Sequence, residues 1–170
     1  MILLPPKSIF LAGVPATGKT YFGDWLEKNH NYIHLDIENN ESVISHNLQN
    51  EVSEFWNGNY DLLFCKFKEL EKPIILNYGF PPEYLSFIKS FLKYGFFPVW
   101  FDANKNVSRE KFLERGKIDI KYFNIQMAKI EKSEKELTDT FSKCKIRTLQ
   151  DDGSRLSPEV IFSEVKQNFG

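Results

Sequence analysis

Eight consecutive residues near the start of the chain have the types and the spacing of a phosphate-binding loop. They fit the pattern G-x-x-x-x-G-K-[ST] (Walker A) and are Gly13, Val14, Pro15, Ala16, Thr17, Gly18, Lys19 and Thr20. Gly13 allows the chain to leave a strand sharply, and Gly18 allows the backbone to approach a phosphate closely. Lys19 can reach the β- and γ-phosphates of a nucleoside triphosphate, and the Thr20 hydroxyl can bind Mg²⁺. The stretch therefore predicts a nucleotide site with a catalytic lysine.

The segments on either side of this loop have the patterns that such a site requires. The apolar run 8–12 predicts a strand, and the pattern at 17–28 predicts a helix. A helix that begins at the loop presents its free N–H groups and its positive end to an anion. The alternative is a glycine turn with a solvated lysine, and the strand–loop–helix context disfavours it.

Short apolar runs alternate with helical patterns along the rest of the chain. Further strands are predicted at 32–36, 74–77, 96–101 and 145–150. Helices are predicted at 41–50, 60–70, 82–93, 106–115 (with Asn106 as its N-cap) and from Pro158 onward, with a long helix or a bent pair at 118–141. This alternation indicates an α/β fold with a parallel sheet, and residues 1–170 suit a single domain.

The composition is that of an ordinary globular protein. The net charge of −1 favours neither nucleic acid nor an anionic membrane as a partner, and the aromatic content of 15%, mostly Phe, predicts a Phe-rich core. Cys65 and Cys144 match no metal or redox spacing, so both are expected to be buried free thiols. No stretch is long enough to span a bilayer, and a cytoplasmic protein is expected.

On the loop 13–20, the short length and the order of strands and helices, the chain resembles the small P-loop kinases of metabolites and nucleotides. Gluconate kinase, shikimate kinase and the zeta-toxin and polynucleotide-kinase-like group are examples. The resemblance spans nearly the whole chain, although only the loop is highly specific. It implies ATP as the phosphoryl donor and Mg²⁺ as the cofactor. It also implies a five-stranded parallel sheet of order 2-3-1-4-5 and a helical lid at about 106–135.

The resemblance gives a role to the acid that ends the second predicted strand, in "YIHLDIEN". In such kinases an Asp at the position of Asp36 approaches the acceptor hydroxyl and often a metal-bound water. A carboxylate there can take the hydroxyl proton, so Asp36 is predicted both as a catalytic residue and, with Thr20, as a metal ligand. Glu38 can assist, and both acids have capping or solvation as alternatives. His34 is expected to be packed and hydrogen-bonded rather than catalytic.

Two further groups of residues follow from the same resemblance. The lid of such kinases carries arginines that neutralise charge on the transferring group, which points to Arg109 and Arg115, with Lys111, Lys117 and Gln126 as secondary candidates. The turn after the last strand often lies beneath the adenine, which points to Asp152, Gly153, Ser154 and Arg155. The alternatives are a solvated amphipathic helix for the first group and an ordinary turn for the second.

The chain departs from the family pattern after its third predicted strand. Asn77 stands where many P-loop enzymes have a Walker B Asp, which shifts metal binding onto Asp36 and Thr20. Gly79 is followed by Phe80-Pro81-Pro82 instead of the Gly-Gly-Gly of shikimate kinases, which argues against shikimate as the acceptor. Tyr78 and Phe80 are candidates for lining the acceptor pocket.

The expected function is therefore the transfer of phosphate from ATP to a small hydroxylated molecule by a monomer or homodimer. A toxin-like or nucleic-acid-end kinase is an alternative, although the near-neutral charge disfavours a nucleic-acid substrate. A nucleotide-binding switch without transfer activity is a second alternative, which Asn77 keeps open.

Overall fold

The computed structural model describes residues 4–79, 85–116 and 118–169. Its centre is a parallel sheet of five strands, which are β1 (Ile9–Gly13), β2 (Ile33–Asp36), β3 (Ile74–Asn77), β4 (Phe97–Ala103) and β5 (Lys145–Leu149). The strand order is β2-β3-β1-β4-β5. The predicted α/β fold and the predicted strand order are therefore confirmed.

Helices cover both faces of the sheet. They are α1 (Lys19–His30), α2 (Asn40–Ser45), α3 (Gln49–Trp56), α4 (Asp61–Glu69), α5 (Leu85–Leu92), α6 (Lys105–Glu114), α7 (Ile120–Lys132), α8 (Glu134–Thr140) and α9 (Pro158–Gln167). Because both faces are covered, β1 is buried at every residue and its sequence is a continuous apolar run. Among the described helices, none is long and apolar enough to cross a membrane.

The core has two parts, one on each face of the sheet. Alternate residues of β1 divide between them, with Phe10 in one cluster and Leu11 in the other. Phe22 of α1 packs on the Leu11 side, whereas Phe64 of α4 and Phe91 of α5 pack on the Phe10 side. The largest fully buried side chains are mostly phenylalanines, which confirms the predicted Phe-rich core.

The register of the sheet brings the chemistry-bearing residues to one edge. Asn77 pairs with Leu11 on one side and with Asp36 on the other, and Gly13 pairs with Phe101. In a parallel sheet the carboxyl ends of the strands all lie at the same edge. The loop after β1, the acid that ends β2 and Asn77 therefore lie side by side.

Several predicted helix boundaries were wrong. The predicted helix 41–50 is two helices, because Asn47 adopts a left-handed conformation (φ 55°) and ends α2, while α3 continues to Trp56. The N-cap of α6 is Asn104, whose side chain accepts a hydrogen bond from the N–H of Asn106, so that helix begins earlier than predicted. The region 118–141 is the bent pair α7 and α8. The predicted start of a helix at Pro82 lies outside the described residues.

The expectation for the cysteines was half wrong. Cys144 is buried, and this burial raises the pKa of its thiol to about 11. Cys65 is exposed, because α4 turns Leu63, Phe64 and Phe67 toward the core and leaves the position between them on the outer face. Helical spacing alone could have indicated this difference.

Candidate active site at the carboxyl edge of the sheet

The backbone of the predicted phosphate loop has left-handed positions that shape it into a cradle. Gly13 has φ 149°, and a Cβ there would lie 2.2 Å from the carbonyl oxygen of Phe101. Gly18 has φ 91° and Ala16 has φ 62°. Only glycine fits the close approach of the loop to β4 at Gly13.

Within the loop, two side chains hold carbonyl groups in place. The Nζ of Lys19 donates to the carbonyl oxygens of Gly13 (3.1 Å) and Val14 (2.9 Å). The hydroxyl of Thr17 also donates to the carbonyl oxygen of Val14, at 2.7 Å. The first two carbonyl groups of the loop therefore face these donors and not a ligand.

Three side chains from outside the loop hold the next three carbonyl groups. The pairs are Ser108 to Pro15 (2.5 Å), Arg155 to Ala16 (3.0 Å) and Thr148 to Thr17 (3.0 Å). Five consecutive carbonyl groups are thus occupied. Across the described residues, the backbone N–H groups of residues 16–20 have no protein acceptor. The result is a row of free donors at the start of α1, which is the arrangement that binds phosphate.

The sequence analysis did not identify two of these outside donors, Ser108 and Thr148. Thr148 is 1% exposed and follows the buried Ile146 by two residues, so it is a polar side chain on the inward face of a strand. That pattern is unusual enough to be a usable signal. Ser108 is fully buried within α6, where the sequence offers no comparable signal.

The charge on Lys19 is sensitive to its surroundings. Desolvation within the loop lowers the pKa of Lys19 to about 8, Glu38 and Asp36 act to raise it, and Arg115 acts to lower it further. At neutral pH the ammonium group is protonated, and it is close to two carboxylates and one guanidinium group. The charges of Lys19, Glu38, Asp36 and Arg115 therefore interact with one another.

Thr20, Asp36 and Asn77 make a triangle of hydrogen bonds at the sheet edge. The Thr20 hydroxyl donates to Oδ2 of Asp36 at 3.1 Å, and the Asn77 amide donates to the same Oδ2 at 3.1 Å and to the Thr20 hydroxyl at 3.3 Å. An aspartate at position 77 would place a second negative charge against Asp36. The neutral amide instead stabilises the single carboxylate.

The Thr20 and Asp36 oxygens fit a magnesium ion. Both are hard oxygen donors, and neighbouring ligands of an octahedral Mg²⁺ lie about 2.9 Å apart, close to the 3.1 Å between these two atoms. In the part of the chain that the structure describes, no group of three or more His, Cys, Asp or Glu side chains is placed to hold a metal. A magnesium ion held by these two oxygens would take its other ligands from phosphate oxygens and water, as is usual for Mg²⁺.

Glu38 is held at the same edge by the chain that follows β3. Its Oε2 accepts a hydrogen bond of 2.6 Å from the N–H of Gly79, and a Cβ on residue 79 would lie 2.4 Å from that oxygen. Desolvation raises the pKa of Glu38, and Asp36 raises it further, while the Gly79 N–H and Lys19 oppose the rise. A carboxylate with a raised pKa is a stronger base and is suited to accept a proton.

His34 is a packed residue, as the sequence analysis expected. It is 3% exposed, its Nδ1 lies 2.8 Å from Oδ1 of Asp24, and its ring packs against Gly23, where a Cβ would lie 2.3 Å from Nε2. This contact explains why a helix interior carries a glycine at that position.

The structure separates the two predicted lid arginines. Arg115 follows the last residue of α6, and its pKa is lowered by desolvation and by the charge of Arg155. Arg109 is exposed and makes no hydrogen bond or ion pair with a described residue. Arg115 is also exposed and makes no hydrogen bond or ion pair with a described residue, but its charge acts on Lys19, whereas Arg109 is not among the charges that do.

The two described secondary lid candidates, Lys111 and Gln126, make no hydrogen bond or ion pair with the described residues of the phosphate loop. Lys111 forms an ion pair with Glu114 at 3.0 Å, and Gln126 is a half-buried residue of α7. Lys117 lies outside the described residues. The predicted lid itself packs inward, since Phe112 and Phe123 meet at 5.4 Å between ring centroids.

The predicted adenine turn is a tight, internally bonded loop. The N–H and the hydroxyl of Ser154 both donate to Oδ1 of Asp152, at 2.9 and 2.6 Å, and these bonds lower the pKa of Asp152. Gly153 has φ 81°, as the turn requires. Arg155 extends from this turn to the phosphate loop. A contact of these residues with a base stays a prediction.

The fold and this edge define a class, that of the small P-loop kinase fold. Two solved structures are similar over almost their whole length. A shikimate kinase from Bacteroides thetaiotaomicron has a TM-score of 0.51 and 17% identity, over 95% of this chain and 95% of that chain. A gluconokinase from Sinorhizobium meliloti 1021 has a TM-score of 0.55 and 14% identity, over 96% of this chain and 91% of that chain. No protein-family model and no curated protein matches the sequence.

Proposed function

We propose that this chain is an ATP-dependent kinase that transfers the γ-phosphoryl group of ATP to a hydroxyl group of a small molecule. The observation that carries the proposal is the meeting of three features at one sheet edge. These features are the row of free N–H donors, the cations Lys19 and Arg115, and the carboxylates Asp36 and Glu38. Phosphoryl transfer needs this combination of positioning and opposite charges.

The loop and its lysine bind the phosphates in this proposal. The N–H groups of residues 16–20 donate to phosphate oxygens, and the ammonium group of Lys19 is 2.9 Å from a loop carbonyl and within reach of the same space. Thr20 and Asp36 hold the magnesium ion, which supplies positive charge against the phosphates. Asn77 fixes the Asp36 carboxylate through its amide.

Glu38 is the better candidate for the group that accepts the hydroxyl proton. One oxygen of Asp36 already accepts hydrogen bonds from Thr20 and Asn77, which suits a metal-holding role. The pKa of Glu38 is raised, which makes its carboxylate a stronger base than an ordinary glutamate. Asp36 as the base, which the sequence predicts, stays the alternative.

Asn77 supports one competing function, a nucleotide-binding switch without transfer activity. The two functions differ in what happens to ATP once an acceptor is present. A kinase consumes ATP with one class of acceptor and yields a phosphorylated product, whereas a switch binds nucleotide without that product. A cytoplasmic location and a monomeric or homodimeric state stay predictions that neither function decides.

The test of the proposal is a titration of Mg–ATP by calorimetry, combined with ADP release across a panel of alcohols and sugars. Lys19→Ala should weaken Mg–ATP binding by about 100-fold or more, because the charge on the β- and γ-phosphates is lost. Lys28→Ala, in the last turn of the same helix, is the matched control and should bind normally. Unchanged affinity in Lys19→Ala would contradict the nucleotide site.

A further inference from the structure

A cavity lined by aromatic rings lies on the Phe10 side of the sheet. Its volume is about 210 Å³, and five of the residues around it are Phe55, Trp56, Tyr60, Tyr78 and Phe91. The rings form a connected group, with centroid distances of 5.2 Å for Phe55–Trp56, 5.7 Å for Trp56–Tyr78 and 5.2 Å for Tyr60–Phe91. A cavity of about 150 Å³ already admits a benzene ring, so a ligand of that size fits here.

Tyr78 places this cavity beside the carboxylates of the site. The residue before it, Asn77, donates to Asp36, and the residue after it, Gly79, donates to Glu38. The side chain of Tyr78 is 3% exposed and lines the cavity. The segment 77–79 therefore contacts both carboxylates and also contributes a ring to the cavity.

Trp56 is the exposed aromatic ring among the described residues of this lining. Its side chain is 47% exposed, whereas Phe55, Tyr78 and Phe91 are all buried. A half-exposed tryptophan at the opening of an aromatic cavity provides a large contact area for a ligand at little cost in conformational entropy. The other four rings are buried or half-buried and form a largely apolar lining.

The described residues that line the cavity carry no charge, which disfavours an anionic ligand. The four arginines of the chain are Arg109, Arg115, Arg147 and Arg155, and none belongs to the segment 37–79 that supplies most of the cavity wall. The cations of that segment are Lys66, Lys68 and Lys72, and none of them lines the cavity. Among the described residues, the lining thus offers no guanidinium or ammonium partner to a carboxylate or phosphate on a ligand in the cavity.

We propose that the acceptor is an uncharged alcohol that carries an aromatic group, and that this cavity binds the aromatic group. This inference rests on the proposed kinase function. In the reaction, the bond from the γ-phosphorus to the β–γ bridging oxygen breaks, and a bond from that phosphorus to the acceptor oxygen forms. The hydroxyl proton passes to solvent, directly or through one of the carboxylates at the sheet edge. ADP and a phosphate monoester are the products, and no further reactant is needed.

The experiment uses 2-phenylethanol as the probe and phenylacetate as its anionic counterpart, with binding measured by ligand-observed NMR. We expect 2-phenylethanol to bind with a dissociation constant of about 1 mM, as befits a fragment, and phenylacetate to bind about tenfold more weakly. Trp56→Ala should weaken 2-phenylethanol binding about tenfold, and Trp56→Phe should restore most of it. Val160→Ala, which shortens an exposed apolar side chain of α9 on the other side of the sheet, is the control.

Binding and transfer are measured separately, so that each part of the argument can fail on its own. Equal binding of phenylacetate, or binding that Trp56→Ala leaves unchanged, would overturn the aromatic acceptor site. Phosphorylation of gluconate or shikimate in preference to aromatic alcohols would overturn it as well and leave the kinase function standing. Binding at Trp56 with ATP bound, but without ADP release for any alcohol in the panel, would overturn the kinase function, and with it the role of the cavity as an acceptor site.

Discussion

The proposed nucleotide side and the proposed acceptor side of this site are formed by different groups. On the nucleotide side, side chains hold five consecutive carbonyl groups, and the N–H groups of residues 16–20 have no acceptor among the described residues. On the acceptor side, aromatic rings from α3, α5 and the end of β3 enclose a cavity that has no cationic lining among the described residues. Backbone groups are the same in every sequence, so they suit a ligand that many enzymes share, such as ATP. The side chains that line the cavity differ between sequences and can select one acceptor.

The largest expected effect is on turnover, and it tests the role of Arg115 beside the phosphate loop. Arg115→Ala should lower turnover by about 10³-fold or more, with a modest change in Mg–ATP affinity, because a guanidinium near the transferring group acts on charge that develops in the transition state. Arg109→Ala should have a much smaller effect, because its charge, unlike that of Arg115, is not among those that act on Lys19. Steady-state kinetics with a true acceptor gives both values, and equal losses would contradict the distinction between them.

The second prediction distinguishes the roles of Glu38 and Asp36. Glu38→Gln should lower turnover by about 10² to 10⁴, the usual contribution of a general base, and leave Mg–ATP affinity nearly unchanged. Asp36→Asn should lower turnover and also raise the Mg²⁺ concentration for half-maximal activity by about tenfold. Activity measured against Mg²⁺ concentration separates the two variants. Glu41→Gln, an exposed acid on the same side, is the control.

The pH profile of turnover gives this second prediction an independent check. A base must be deprotonated to act, so activity should fall as the pH decreases through the pKa of Glu38. Since that pKa is raised, the acidic decline should occur at a higher pH than for an ordinary glutamate. The decline should be absent from the residual activity of Glu38→Gln. If Asp36→Asn removes it and Glu38→Gln does not, Asp36 is the base.

The contrast between the two sides also explains what the sequence could predict. The eight-residue loop has a local pattern of glycines and one lysine, so the strand before it and the helix after it were predictable, and the sheet order followed from the resemblance to small P-loop kinases. The carbonyl contacts of Ser108 and Thr148 were not, because they join residues 93 and 131 positions apart along the chain. A local sequence pattern cannot predict contacts between residues so far apart along the chain.

The acceptor side was less predictable for a related reason. Tyr78 was a candidate from its place after β3, but Phe55 and Trp56 come from α3, most of which lies beyond the helix predicted at 41–50. Trp56 lies at the end of α3, where no helix was predicted. Five aromatic residues spread from position 55 to position 91 meet only in the folded chain.

A third prediction concerns the positive charge of Lys19 and uses pH to test its contribution to Mg–ATP affinity. The pKa of Lys19 is lowered to about 8, so the free protein loses this positive charge as the pH rises through that value. Bound phosphates favour the protonated form, and Mg–ATP affinity should therefore fall by about tenfold between about pH 7 and about pH 9.5. Calorimetry at both pH values measures this. Lys19→Ala should show a much weaker pH dependence, and an equal one would assign the effect to another group.

The smallest expected effect concerns the two buried hydroxyl groups that hold the loop carbonyls. Ser108→Ala and Thr148→Val each leave a buried carbonyl group without its donor, which costs about 1–3 kcal/mol. For a chain of this size that corresponds to a fall in Tm of about 2–4 °C per kcal/mol. Affinity for Mg–ATP should fall about threefold to tenfold, because a freed carbonyl group can turn toward the space that phosphate needs.

The matched control for this pair is Ser45→Ala, whose hydroxyl donates to the carbonyl oxygen of Ser42 at 2.8 Å on the exposed surface of α2. Water replaces that bond, so Tm and affinity should both be unchanged within error. A loss of Tm without a loss of affinity in Ser108→Ala would mean that the contact with Pro15 stabilises the fold but does not orient the loop. A loss of affinity in both Ser108→Ala and Thr148→Val, beyond what Ser45→Ala shows, would mean that orientation of the carbonyl groups is what leaves the N–H groups free for phosphate.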